Sequence, residues 1–186
     1  MAFRLKHLDE RTRALMLEAF DEDCAAGQLY ESAYQSRAGL SAWPALLRTA
    51  LAEHDEAWLM QAASPGSYWN TQHPRRKPTG GFTWAKVPYT APVTLSEGQF
   101  VCYYLRAVCR RAIEDGHEVR VVRMQQVEVP RQRSQELIGQ VVDPAELLED
   151  VRLNKGIESF LGIPGGPNSG IGVEIVESEQ SDTASG

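Results

Sequence analysis

Cysteine is scarce in this chain of 186 residues, and the three present, Cys24, Cys102 and Cys109, show no CxxC spacing. Cys102 and Cys109 fall on one predicted helix, where two turns separate them by roughly 10 Å of rise, too far for a disulfide. Reduced, buried thiols are the expectation. No apolar run approaches the ~20 residues of a membrane span. Residues 1–10 carry Arg4, Lys6, Asp9 and Glu10 where a secretory signal would be apolar. Cytoplasmic synthesis without a membrane partner is expected. His7, His54, His73 and His117 form no HxxxH pair, and no GxSxG elbow is present. A Cys109–His117 dyad would need a helix cysteine to be exposed and its thiolate stabilised. No catalytic residue, metal site or cofactor is therefore predicted.

Acid is missing from one segment. Residues 64–93 hold Arg75, Arg76, Lys77 and Lys86 and no acidic side chain, a net of +4. Residues 1–63 hold six basic and ten acidic side chains, and residues 143–186 hold two and nine, so the overall net of −6 hides a segregation. The basic segment also carries five prolines, three glycines and the aromatic residues Tyr68, Trp69, Phe82, Trp84 and Tyr89. That content predicts an extended arm over 67–80 followed by a strand over 81–87, with Phe82, Trp84 and Lys86 alternating against Thr83, Ala85 and Val87. A basic arm between acidic ends suits the chain's own acidic surface, a second copy or a polyanion.

Around the arm, helical and strand patterns place a single α+β domain over 1–176, with a polar tail at 177–186. Residues 1–63 read as a helical part. Its first helix is capped by Asp9 and closed at Gly27, a second is expected to start at Pro44, and a third spans 55–63. Trp43 and Trp58 are core candidates. The 94–176 part reads as a small sheet with two packed helices. Thr94 with Glu97, or Ser96 with Gln99, predicts a capping box and a helix start. Val101, Leu105, Val108 and Ala112 recur as one apolar stripe, and Tyr103, Arg106, Arg110 and Glu114 as a solvated face. Gly116 ends that helix. The five valines of 117–129 predict a strand, Asp143-Pro144 opens a last helix, and Ile171–Val176 reads as a strand. A turn with Phe160 and Leu161 precedes the glycine-rich 162–172 run, which lacks the lysine and following helix of a phosphate loop and reads as turns.

Arg106, Arg110, Arg120 and Arg123 are candidate anion ligands, since arginine forks suit phosphate and carboxylate. Pairing with the chain's own acids is the competing account of them.

The blocks Ser96-Glu-Gly-Gln-Phe-Val-Cys-Tyr-Tyr-Leu-Arg106, Pro130-Arg-Gln-Arg-Ser-Gln-Glu-Leu-Ile-Gly139, Leu147-Leu-Glu-Asp-Val-Arg152 and Gly165-Gly-Pro-Asn-Ser-Gly170 resemble an uncharacterised family of small bacterial and phage-encoded proteins. The resemblance covers the C-terminal half and brings no activity and no functional residue. A phage structural setting, with incorporation in a virion, is what it implies. The expected function is a non-enzymatic structural or interaction protein in an assembly. Its partner is another protein or a second copy, met through Tyr68, Trp69, Arg75, Arg76, Lys77, Phe82 and Trp84. Two alternatives are a small anion- or nucleotide-binding enzyme built on the central arginines, and single-stranded nucleic-acid binding through the arm.

Overall fold

The computed structural model describes residues 3–130, 132–155, 161–164 and 169–176. Their elements run α1 (Glu10–Ala25), α2 (Arg37–Glu53), α3 (Glu56–Ala62), a 3-10 turn (Gly66–Tyr68), β1 (Gln72–Arg76), β2 (Phe82–Lys86), α4 (Ala91–Asp115), β3 (Glu118–Arg123), α5 (Gln132–Leu137), β4 (Val141–Val142), α6 (Pro144–Leu153) and β5 (Ile171–Val176). This is an α+β fold with two small antiparallel sheets, β1-β2 and β4-β3-β5.

The 25-residue α4 is the axis on which the rest is assembled. α1, α2, α3 and α6 pack on it, as do β3 and β5. Every residue from Gln99 to Cys109 is buried, so this helix is covered all round. The predicted stripe of Val101, Leu105, Val108 and Ala112 is in the core. The expected solvated face is not solvated at its centre, because α1 lies on it and buries Tyr103 and Arg106 completely. Further along, Arg110 pairs with Glu22 and Glu18, and Arg11 of α1 reaches both Glu114 and Asp115. Ion pairs running in both directions, α4 arginines to α1 acids and Arg11 of α1 to α4 acids, join the two helices by charge as well as by packing.

The start of α4 also differs from the reading of its caps. Thr90 precedes the first turn without a side-chain cap and Pro92 occupies that turn, where its missing N–H costs nothing. Thr94 and Ser96 therefore lie inside the helix, and the buried Ser96 Oγ has no hydrogen-bond partner among the described residues. Glu97 caps nothing there; it accepts from Gln125 at 3.4 Å, and burial raises its carboxyl pKa.

Pro44 is likewise an interior residue of α2, which begins seven positions earlier behind Ser36. Ser36 Oγ accepts from Gly39 N–H at 3.2 Å and donates to the Ser67 carbonyl at 2.6 Å, so one hydroxyl caps the helix and ties down the 3-10 turn. The caps at Asp9 and Asp143 are where the residues predicted them, and Asp55, placed inside the third helix by the sequence, caps it; each accepts a backbone N–H of its own first turn. Trp43 is buried with Nε1 donating to the Tyr30 carbonyl, and Trp58 is half-buried, stacked on His54 at 4.3 Å.

The valine-rich segment forms a strand only over Glu118–Arg123. β5 pairs along its whole length, from Glu118↔Val176 to Arg123↔Ile171, while β4 covers Val119 and Arg120 on the other edge. The ladder stops where Met124 and Gln125 N–H both turn to the Gly170 carbonyl, at 2.8 and 3.1 Å. Gly170 has φ +61, and a Cβ there would stand 2.5 Å from the Gln125 carbonyl oxygen, so this close approach requires glycine. Phe160 and residues 165–168 of the glycine-rich run lie outside the described residues, as does the tail.

Candidate functional site

The basic-aromatic segment is a β-hairpin, a structure more regular than the extended arm its composition suggests. Lys77 N–H reaches the Gly81 carbonyl at 3.0 Å and Gly80 N–H the Lys77 carbonyl at 3.1 Å, closing a turn whose Gly80 and Gly81 both take positive φ. The strands pair Gln72↔Lys86, His73↔Ala85, Pro74↔Trp84, Arg75↔Thr83 and Arg76↔Phe82. Directly opposed residues share a face. One face therefore carries Phe82, Trp84 and Lys86 with Arg76, Pro74 and Gln72, and the other carries Arg75 and Thr83 with His73 and Ala85.

Every residue from Pro74 to Trp84 is exposed, so the hairpin projects from the body. Phe82 is 70% and Trp84 69% accessible, although each ring would gain by leaving water. Lone exposed apolar residues are ordinary; two aromatics on one face of a projecting ribbon form a patch.

The base of the hairpin is held by the body. Tyr34 meets the His73 ring edge-on at 4.7 Å. Asn70 N–H donates to the Tyr34 carbonyl and Asn70 Nδ2 to the Gln35 carbonyl, at 2.9 and 2.8 Å. Tyr68 and Trp69, predicted as contact residues, serve this anchorage and are half-buried: the Tyr68 carbonyl accepts from Ser36 N–H, and Trp69 Nε1 donates to the Ala63 carbonyl at 2.7 Å. A groove of about 450 Å³ runs along the junction beside Trp69, Lys86, Tyr89 and Pro92, with Tyr89 95% exposed. Arg75, Arg76 and Lys77, the remaining predicted residues, stand at the tip with Phe82 and Trp84.

Three of the four candidate anion ligands are engaged, each with a different partner. Arg106 grips Asp23 with both Nη atoms and the Ala19 carbonyl with one of them. Asp23 also accepts from Tyr103 Oη and Lys155 Nζ, each at 2.7 Å. Burial alone would raise the Asp23 pKa, but the bonds from Arg106, Lys155 and Tyr103 hold it below the usual carboxylate value. Arg110 faces Glu22, Arg123 donates to the Ser169 carbonyl at 2.9 Å, and Arg120 is exposed on β3. The sequence offered no pointer to Asp23 as the common acceptor. The Gly80-Gly81 pair ahead of an alternating run was the available signal for the hairpin.

Among the described residues no group of three or more His, Cys, Asp and Glu side chains converges to hold a metal, and no helix is long and apolar enough to cross a membrane. No protein-family model, curated protein or solved structure matches this chain.

Proposed function

We propose that this protein is a non-enzymatic component of a protein assembly and that the β1–β2 hairpin is its contact with the partner. The observation that carries the reading is the pair Phe82 and Trp84, held in water on the outer face of a ribbon whose base is firmly anchored and whose tip is basic. An isolated two-stranded hairpin is marginal in water, and covering this face would stabilise it as well as the complex. The central arginines favour the reading indirectly. Arg106 is enclosed with its carboxylate, and the buried Tyr103 and Cys102 beside it have raised pKa values, which suits a structural core. On this reading the setting is a phage particle, in keeping with the resemblance of the C-terminal blocks.

The test is a Phe82→Ser/Trp84→Ser variant. The folded variant is expected to lose assembly with its partner, seen in light scattering and in pull-downs from cells carrying the neighbouring genes. A variant that assembles as well as the parent would overturn the reading. Single-stranded nucleic acid is the second reading, favoured by two aromatic rings at alternate strand positions beside Arg76 and Lys86. Salt-sensitive binding of an oligonucleotide, lost with Trp84, would select it over the first.

A further inference from the structure

The hairpin has one blunted edge and one open edge. Lys77 N–H bonds the Gly81 carbonyl and Val87 N–H the Thr71 carbonyl, which makes the odd-numbered residues of β1 the hydrogen-bonded positions. In an antiparallel ladder the alternate residues then turn their N–H and C=O outward. Pro74, paired with Trp84, is such a residue, and it has no N–H to present. The outer edge of β1 is thereby interrupted, a common defence against strand addition. β2 carries no proline: Phe82, Trp84 and Lys86 direct intact backbone N–H and C=O groups into solvent, and none of the described residues bonds them.

Resting on the reading that the hairpin is the assembly contact, we propose that its partner is a second copy of this chain, joined by antiparallel pairing of β2 with β2 across a two-fold axis. The pairing that uses all three outward residues centres on Trp84. It sets Trp84 against the second copy's Trp84, and Phe82 against the second copy's Lys86. Each opposed pair exchanges two N–H···O=C bonds, and the two hairpins become one continuous sheet. All the residues named share a face, so the aromatic rings of both copies merge into one strip, with Lys86 over the neighbouring Phe82.

Charge agrees with this occupant. No acidic residue occurs between Glu56 and Glu97, and with the 64–93 segment at +4 and the whole chain at −6, the remainder of each copy carries −10. Antiparallel pairing carries each basic tip, Arg75 to Lys77, past the base of the other hairpin toward that acidic body. A symmetric contact of this kind closes on itself and yields a dimer.

The substitution Trp84→Pro tests the edge directly. The Trp84 N–H faces outward, so its loss leaves the β1–β2 ladder bonds in place, as Pro74 does opposite. Sedimentation equilibrium of the parent from micromolar to millimolar concentration is expected to show a monomer–dimer equilibrium, and Trp84→Pro to weaken it tenfold or more. Hydrogen exchange at the Phe82, Trp84 and Lys86 amides should slow as concentration rises; this readout on the parent stands even if the variant fails to fold. A parent that is monomeric throughout, with those amides unprotected, overturns self-pairing. If the hairpin variants nevertheless lose a different protein partner, the assembly reading survives. If an oligonucleotide protects the hairpin while the protein stays monomeric, both fail.

Discussion

Arg106 of α4 and Asp23 of α1 meet fork to fork inside the protein, with Nη1–Oδ2 at 2.6 Å and Nη2–Oδ1 at 3.2 Å and the arginine wholly inaccessible. Tyr103 and Lys155 close on the same carboxylate, so one acid joins α1, α4 and the chain beyond α6. Two further acceptors come from main chain, Ala19 for Arg106 and Gln28 for Lys155.

Removing the acid strands two cations. Asp23→Ala is expected to destabilise the fold by roughly 3–5 kcal/mol, the usual penalty for breaking a buried pair from one side. Asp23→Leu with Arg106→Met should lose less than Asp23→Ala, because the buried guanidinium is removed with its carboxylate and only Lys155 is left to be solvated. Urea denaturation of the two variants checks this, and equal losses would refute it.

Exposed rings contribute little to the monomer. Phe82→Ser and Trp84→Ser are expected to change the unfolding free energy of dilute protein by no more than about 0.5 kcal/mol. Anchorage at the hairpin's base is different: a Cβ at Gly39 would stand 2.2 Å from the Tyr68 carbonyl oxygen. Gly39→Ala should cost about 1–3 kcal/mol by forcing α2 and the 3-10 turn apart. Thermal or urea unfolding separates the two classes.

His7 makes stability depend on pH. Its Nε2 accepts from Ile175 N–H at 3.1 Å, which only the neutral ring can do. Burial, followed by the nearby Lys6 and Arg111, lowers its pKa below the ordinary 6.5. The unfolded chain therefore takes up this proton more readily than the folded one, so the contribution is complete above about pH 6.5 and is lost as pH falls through the lower, folded value. Urea midpoints between pH 7.5 and 5 should fall for the parent and fall less for His7→Gln. Parallel curves would count against the assignment.

Thiol labelling should distinguish the three cysteines. Cys109 is buried with its pKa raised by burial, and Cys102 is pushed up by burial to about 11, whereas Cys24 is exposed. One equivalent of an aromatic disulfide reagent is expected to react with native protein and the others only after unfolding. Fast reaction of Cys102 in the native state would contradict the buried α4.

Local signals were legible where a short stretch settles its own structure. The aspartate caps at 9 and 143, the glycine stop at 116 and the strand at Ile171–Val176 rest on contacts within a turn or on one alternating run. The same is true of charge layout, since composition alone places +4 over 64–93. Tertiary structure decided the rest. Thr94 and Ser96 resemble a helix start, but the neighbours that surround α4 let it begin at Ala91; Pro44 is carried inside α2 because the Ser36 cap and the 3-10 turn hold the helix upstream of it. Arg106 could be read equally as a surface charge or an anion ligand until the fold brought Asp23, 83 residues away in the chain, against it. Which backbone edge stays open is likewise invisible in a list of residues, because it depends on which positions of β1 face β2. A sequence specifies its short-range contacts directly, whereas long-range pairing is a choice among many partners that only packing makes.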